Sequence, residues 1–257
     1  RKAGVDNIVV VVGHGAESVR EYLGDSVRYA VQEPQLGTGH AVMQAQCLAD
    51  LDGDTLILNG DGPCIQSETI DRVFAANSDS EMTVLTAVLP DGERYGRIIR
   101  NAEGYVERIV EAKDCTPQEL AVTEINTGIF CFKNRLLFAH LKEIRNDNAQ
   151  QEYYLTDLVA IFNQCGLRVN ALVADDPQET MGVNDRIDLA KAQKWMTRHE
   201  CERHMRNGVT IIDPETVYID VGVKIGADTV IYPNVIIQGD TVIGERVTIL
   251  SNSFLRN

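Results

Sequence analysis

Basic residues are in short supply. Lysine and arginine number 24 against 38 aspartates and glutamates, leaving a formal charge of −14. Non-specific nucleic-acid binding needs a basic surface, so no nucleic-acid partner is expected. A small anionic ligand is still compatible where a bound cation and local donors offset the field. The cysteines (Cys47, Cys64, Cys115, Cys131, Cys165, Cys201) contain no C-x-x-C pair. That argues against metal clusters and a dense disulfide framework and for a reducing cytoplasm. Long apolar runs are also missing. Residues 8–12 form a run far too short to cross a bilayer, so no membrane span is expected. What remains is an ordinary globular composition, 44% hydrophobic and 24% charged over 257 residues, enough for about two structural units.

The stretch Thr55-Leu56-Ile57-Leu58-Asn59-Gly60-Asp61-Gly62-Pro63 organises the first of them. A continuous apolar run bounded by turn residues predicts a strand buried on both faces of a parallel sheet. Ligands of open α/β sheets sit just beyond the carboxyl ends of such strands. Gly60 and Gly62 permit close approach and Pro63 ends the strand. Asp61 therefore stands where a metal or phosphate-site carboxylate would, or else Asp-Gly-Pro is only a turn.

Around it the pattern alternates strand and helix. Residues 8–12 predict a strand and 16–23 an amphipathic helix, so the chain is expected to open inside an α/β fold. A short strand at 27–32 leads through Gln35-Leu36-Gly37-Thr38-Gly39-His40 into a helix at 41–48. Gly-Thr-Gly before a helix offers backbone N–H groups to a phosphate or base carbonyl, although Thr38 also suits a simple N-cap. A helix at 67–76 and a strand at 82–88 follow. Residues 95–100 and 105–111, joined by Asn101-Ala102-Glu103-Gly104, predict a β-hairpin. A strand running to 132, a helix at 135–144, a helix ending at Gly166 and a strand at 167–173 complete the unit. A helix at 186–206 then spans roughly 30 Å at 1.5 Å per residue, the reach of a connector. On it His199 and His204 are poorly spaced for ligands and are expected in solvent, with Trp195 packed on a neighbour.

From Ile219 the chain changes character. Ile219, Ile225, Ile231, Ile237, Ile243, Ile249 and Leu255 recur every sixth residue, and Val223, Thr229, Val235, Thr241, Val247 and Ser253 follow the first six at a fixed offset. This is the hexapeptide repeat of a parallel β-helix, with each aliphatic residue turned inward. Three hexads make a turn, giving about two turns.

In order along the chain, Gln32 to Ala41 (Q-E-P-Q-L-G-T-G-H-A), Gly60-Asp61, Tyr95-Gly96-Arg97, Val110-Glu111 with Lys113-Asp114, Glu124-Ile125-Asn126-Thr127-Gly128, Glu152-Tyr153-Tyr154 with Thr156-Asp157, and Gly182-Val183-Asn184 precede the hexapeptide coil. Together they resemble the bacterial N-acetylglucosamine-1-phosphate uridylyltransferases, the nucleotidyltransferase half of a bifunctional enzyme. The resemblance implies a Rossmann-like α/β nucleotidyltransferase domain over 1–184, a linker helix over 185–207 and the start of a left-handed parallel β-helix over 208–257. It implies that Gln32, Gly37 and Thr38 contact uridine, and that Gly96, Glu111 and Asn126 hold N-acetylglucosamine with Tyr154 and Thr156 nearby. Asn59 and Gly60 would adjoin the substrate, and Asp61 and Asn184 would share Mg²⁺. The implied reaction joins UTP and N-acetylglucosamine 1-phosphate into UDP-N-acetylglucosamine and pyrophosphate without a protein nucleophile, in a homotrimer formed through the coil. Read singly, Glu111 also suits a solvated strand end, Asn126 a strand-edge position and Asn184 a helix N-cap.

Some features depart from that family. Its opening glycine-rich loop is not matched, Gly62 and Cys64 replace bulkier aliphatic residues, and Gln151 replaces a usual glycine. The isolated chain is expected to be inactive, and the acetyl-CoA-dependent site of later coils is expected to be absent. Two alternatives stay open: transfer to another sugar 1-phosphate, or an inactive module that binds UDP-sugar and trimerises.

Overall fold

Strand β7, Glu124–Lys133, is the backbone of the first unit. In this computed structural model, which describes residues 3–92, 94–148 and 150–257, the chain divides into two compact units, Arg1–Thr180 and Met181–Asn257. The first begins with β1 (Val9–Val12), α1 (Ala16–Leu23) and β2 (Arg28–Val31), with β1 and β2 paired in parallel. Next come α2 (Thr38–Met43), β3 (Asp54–Ile57), α3 (Ser67–Ala76), β4 (Met82–Val88), β5 (Arg97–Arg100), β6 (Val106–Val110) and α4 (Pro117–Leu120). After β7 follow α5 (Asn134–His140), α6 (Asp157–Gln164) and β8 (Val169–Val173). The main sheet has the order β6-β5-β7-β4-β8, with β3 also on β7.

Alternation along β7 explains why this sheet is covered on both faces. Phe130 and Phe132 enter the larger core with Met82, Leu137, Leu158 and Phe162. Ile129 and Cys131 point the other way, toward Val73 of α3 and Leu85. Period-two side chains of one strand thus feed two cores.

The organising strand differs from its expectation. β3 pairs antiparallel with β7, from Asp54 opposite Lys133 to Ile57 opposite Phe130, and all four residues are only half-buried. Among the described residues, the only parallel pair in the main sheet is β4 with β8. An apolar run does not encode the direction of its partner; the long antiparallel β7 supplies it. The helix expected at 41–48 instead starts at Thr38 and passes into a 3₁₀ turn, Gln46–Leu48.

The second unit starts with α7, Arg186–Arg206, capped by the Asp185 carboxylate, which accepts from the N–H groups of Ile187 and Asp188. The expected connector is in fact grouped with the coil. Cys201, fully buried, packs with Val209, Val217 and Ile219, and its thiol donates to the Val217 carbonyl (3.7 Å). The two histidines are not simply solvated. His204 is 2% exposed, with its imidazole pushed toward the neutral form by burial and by Arg203. His199 stacks on Trp195 with ring centroids 3.6 Å apart.

After α7 the chain winds through β9 (Thr210–Ile211), β10 (Tyr218–Ile219), β11 (Lys224–Ile225), β12 (Val230–Ile231), β13 (Ile236–Gln238), β14 (Val242–Ile243), β15 (Thr248–Ile249) and β16 (Phe254–Arg256). These form three short parallel sheets, β10-β13-β16, β11-β14 and β15-β12-β9. Tyr218 pairs with Ile236 and Ile236 with Phe254, so partners lie three hexads apart. Asp228, Asn234, Arg246 and Asn252 turn corners at φ between 56° and 64°. Asp and Asn tolerate that left-handed conformation better than arginine does.

Candidate functional site

Strands β3 and β5 lie in line along one edge of β7. Ile57 faces Phe130 and Arg97 faces Ile125, so the gap between the two strands falls opposite Asn126–Ile129. There the β4–β7 register also shifts, between Leu85 and Thr86. A bulge of this kind re-aims side chains and interrupts pairing. It is held by side chains of the motif itself. The Asn126 Oδ1 accepts from the Gly128 N–H (3.0 Å), and the Thr127 hydroxyl donates to the Leu85 carbonyl (2.6 Å). Gly128 sits at φ 77°, and a Cβ there would collide with the Asn59 amide.

The Asn59-Gly60-Asp61-Gly62 turn thus enters the gap from the β3 side. Asp61 is exposed, and among the described residues no side-chain hydrogen bond or ion pair engages its carboxylate. A Cβ on Gly60 would meet nothing within 4 Å, so that glycine leaves open space rather than serving a protein contact. A free carboxylate on an open turn is the hard oxygen donor that Mg²⁺ takes, with phosphates and water completing its shell. Asn184 belongs to the second unit. Its Nδ2 donates to the Gly182 carbonyl (3.1 Å), and the α7 cap position that it could have filled is taken by Asp185.

From the β5 side comes Gly96, whose carbonyl accepts from the Asn126 N–H (2.8 Å). A Cβ on Gly96 would lie 3.2 Å from Ile109 and 3.6 Å from a carboxylate oxygen of Glu111. Gly96, Glu111 and Asn126 are therefore brought together. Burial, aided by the neighbouring charges of Asp114 and Asp157, pushes the Glu111 carboxyl up from its ordinary range. Asp157 is raised in turn by burial and by Asp147. Charge is thus disfavoured at Glu111 until a donor arrives to share it.

A second constellation forms where two distant loops are stapled. The Tyr153 N–H donates to the Leu36 carbonyl (2.8 Å) and the Gly39 N–H to the Tyr153 carbonyl (2.7 Å), while the Thr38 hydroxyl accepts from the Leu155 N–H (3.0 Å). Gly37, at φ 101°, must be glycine. A Cβ would stand 2.7 Å from the Tyr153 carbonyl oxygen and 2.9 Å from the Glu152 Cβ. Gln32 is 9% exposed; its Nε2 donates to the Gly37 carbonyl (2.9 Å) and meets His40 Nδ1 (3.2 Å). Gly39 and Thr38 thus spend expected ligand-binding groups on the protein itself. Tyr154, on the stapled segment, donates its hydroxyl to Gln150; burial raises its pKa, with added repulsion from Glu152 and Glu111. Thr156 stands at the N-cap of α6 without a side-chain capping bond.

Two supports gave no sequence signal of their role. Arg97 is buried at 2% and binds the carbonyls of Gly92 (3.0 Å) and Tyr95, fixing the loop before β5. Glu179, buried at 3%, accepts from the Thr69 hydroxyl (2.8 Å) and the Gln66 N–H (3.3 Å), while the Gln66 side chain donates to the Cys64 carbonyl (2.6 Å). It anchors the chain just beyond Asp61.

Comparison with known proteins bears on this geometry. The nucleotidyl transferase family matches residues 1–195, which include every candidate residue. The chain belongs to that family. This nucleotidyl transferase also matches the bacterial transferase hexapeptide, six repeats, over residues 222–257. It is 53% identical over 240 residues to the bifunctional protein GlmU of Latilactobacillus sakei subsp. sakei (strain 23K), covering 92% of this chain and 52% of that protein. It is 50% identical over 259 residues to the bifunctional protein GlmU of Geobacillus thermodenitrificans (strain NG80-2), covering 100% of this chain and 56% of that one. The chain thus spans about half the length of the curated relatives it matches. Among solved structures, a putative glucose-1-phosphate thymidylyltransferase from Bacillus anthracis in complex with a sucrose aligns with a TM-score of 0.58 at 19% identity, over 74% of this chain and 76% of that one. A UDP-glucose pyrophosphorylase complexed with UDP-glucose aligns at 0.56 and 15%, over 66% and 74%. At such identities these two speak for the fold of the nucleotidyl transferase alone. No helix among the described residues is long and apolar enough to cross a membrane.

Proposed function

We propose uridylyl transfer from UTP to N-acetylglucosamine 1-phosphate, giving UDP-N-acetylglucosamine and pyrophosphate, a precursor step of cell-wall synthesis in the cytoplasm. The observation that carries this reading is the meeting of Gly96, Glu111 and Asn126 at the gap opposite the bulge in β7. A phosphate oxygen of the sugar phosphate attacks the α-phosphorus of UTP, and the bond to the bridging oxygen breaks as pyrophosphate departs. No side chain is acylated or phosphorylated on the way, so the work of the chain is positioning.

In this reading Glu111 accepts a sugar hydroxyl and Asn126 pairs with the acetamido group, both suited to their donor and acceptor inventory. Gly96 leaves room for the ring. Gln32 holds the Gly37 loop through its Nε2, with its Oε1 offered to the imide N–H of uracil. Asn59, Gly60 and Asp61 reach the phosphates from the end of β3, while Tyr154 and Thr156 border the sugar. Asp61 would hold Mg²⁺; the part of Asn184 rests on the family resemblance alone. When bound, that ion screens phosphate charge and favours in-line displacement. The hexapeptide coil, with Tyr218, Val242, Leu250 and Phe254 exposed, suits a homotrimer.

Titration of the chain with UDP-N-acetylglucosamine and with UDP-glucose, in Mg²⁺, tests the reading beside an assay of pyrophosphate release by a version that carries the family's glycine-rich loop. Preference for the N-acetylated sugar, lost in Asn126→Ala, supports it. Equal affinity for both would move the assignment to another sugar 1-phosphate. Binding without pyrophosphate release by a version that carries the family's glycine-rich loop would favour a UDP-sugar-binding module.

A further inference from the structure

Three ligand-type side chains meet at the carboxyl ends of α5 and α6, and none of them is among the candidate residues above. His140 is the last residue of α5, Glu143 ends the 3₁₀ turn Leu141–Glu143 that follows it, and Cys165 is the C-cap of α6. Their ligand atoms all lie within 4.8 Å of one another. From this juxtaposition we propose a second metal site, for a borderline transition ion of the Zn²⁺ class, that clamps α5 to α6.

The donor set carries the choice of ion. Imidazole, thiolate and carboxylate together match the N, S and O ligands of Zn²⁺, whereas Mg²⁺ and Ca²⁺ take oxygen alone. Bonds of about 2.0–2.3 Å in a tetrahedron place ligand atoms roughly 3.3–3.8 Å apart. The present spacing closes to that by rotation of two exposed side chains, Glu143 and Cys165. The third ligand is already held. His140 Nδ1 meets Glu143 Oε1 at 2.9 Å, and its ring rests edge-on against Phe162, centroids 5.4 Å apart, with Phe162 itself fully buried. Three protein ligands leave the fourth position to water.

An i,i+3 ion pair alone would account for His140 and Glu143. It does not account for a thiol brought to them from the end of a different helix. The backbone adds to the case, because the carboxyl ends of α5 and α6 both converge here and carry partial negative charge that favours a cation. The consequence reaches the proposed sugar side through α6. Thr156 and Asp157 stand at its start and Cys165 at its end, so fastening the end restrains the whole helix.

The experiment is titration of the metal-free, reduced chain with Co²⁺, followed by displacement with Zn²⁺. One equivalent should bind with a thiolate-to-cobalt charge-transfer band in the near ultraviolet and tetrahedral bands in the visible, both removed by Zn²⁺. Cys165→Ser should lose the near-ultraviolet band, and His140→Gln should weaken binding by more than about tenfold, the lower end of what even an outer partner of a ligand costs. Zn²⁺ should raise the Tm of the parent chain and not that of Cys165→Ser, which is exposed enough to fold unchanged. Binding without the thiolate band, as at a carboxylate-only site such as Asp61, would overturn the proposal. So would a band that survives in Cys165→Ser, since it would belong to another thiol such as the exposed Cys47.

Discussion

The gap in the main sheet and the hexapeptide coil solve opposite problems with the same kinds of residue. In the coil every sixth aliphatic side chain goes inward, and Ile219, Ile231, Ile237 and Ile249 are buried simply because the repeat puts them there. A polar residue enters that core only when satisfied. Thr229, fully buried, donates to the Gly244 carbonyl (2.9 Å) and accepts from the Val247 N–H (3.2 Å). At the gap the order is broken on purpose. A bulge, a strand that stops and a half-buried Glu111, paired with no cation among the described residues, mark the gap, where the proposed function places its ligand. Regularity makes the coil stable; in the proposed function, irregularity at the gap provides the binding chemistry.

The largest effect should separate the two regions outright. Ile231→Ala removes a fully buried side chain and should destabilise the coil by about 2–5 kcal/mol. Denaturation followed by the single Trp195, which lies in the second unit, should show it, while UDP-sugar binding changes little. Gly37→Ala is the counterpart in the first unit. With the Cβ 2.7 Å from the Tyr153 carbonyl, the staple between the two loops must open. Affinity for UDP-N-acetylglucosamine should fall about 100-fold, as for the loss of a charged hydrogen bond or more, with the coil unfolding at its usual denaturant concentration.

Glu111→Gln sharpens the contrast through pH. Its carboxyl is raised chiefly by burial, then by Asp114 and Asp157. The folded state therefore binds its proton more tightly than the unfolded state does. Stability of the parent chain falls as pH rises from the ordinary carboxylate range through the raised pKa. Glu111→Gln should lack that loss, matching the parent below the window and exceeding it above, while ligand affinity drops roughly tenfold. A variant no more stable than its parent at neutral pH would show that the cluster is not strained. The smallest effect belongs to the coil corner. Arg246 holds φ 56°, and Arg246→Gly should stabilise by about 1 kcal/mol or less, the relief of left-handed strain being offset by chain entropy. Thermal unfolding of the second unit would register it.

What the sequence determined by itself is whatever a period or a local signal encodes. The coil followed from spacing, because each hexad repeats one local environment and its partner lies a fixed three hexads away. Helices α3 and α7 begin and end as their patterns require, Ser67–Ala76 and Arg186–Arg206. Order of motifs also marked the candidate residues. Tertiary structure alone decided how they meet. The direction of β3 came from β7, since an apolar run packs equally well beside either orientation. The need for glycine at 37 arose from Tyr153, more than a hundred residues later, and the anchoring of Cys64 from Glu179. Such contacts join residues with no sequence relation, and only the packing of the whole unit brings their atoms within bonding distance.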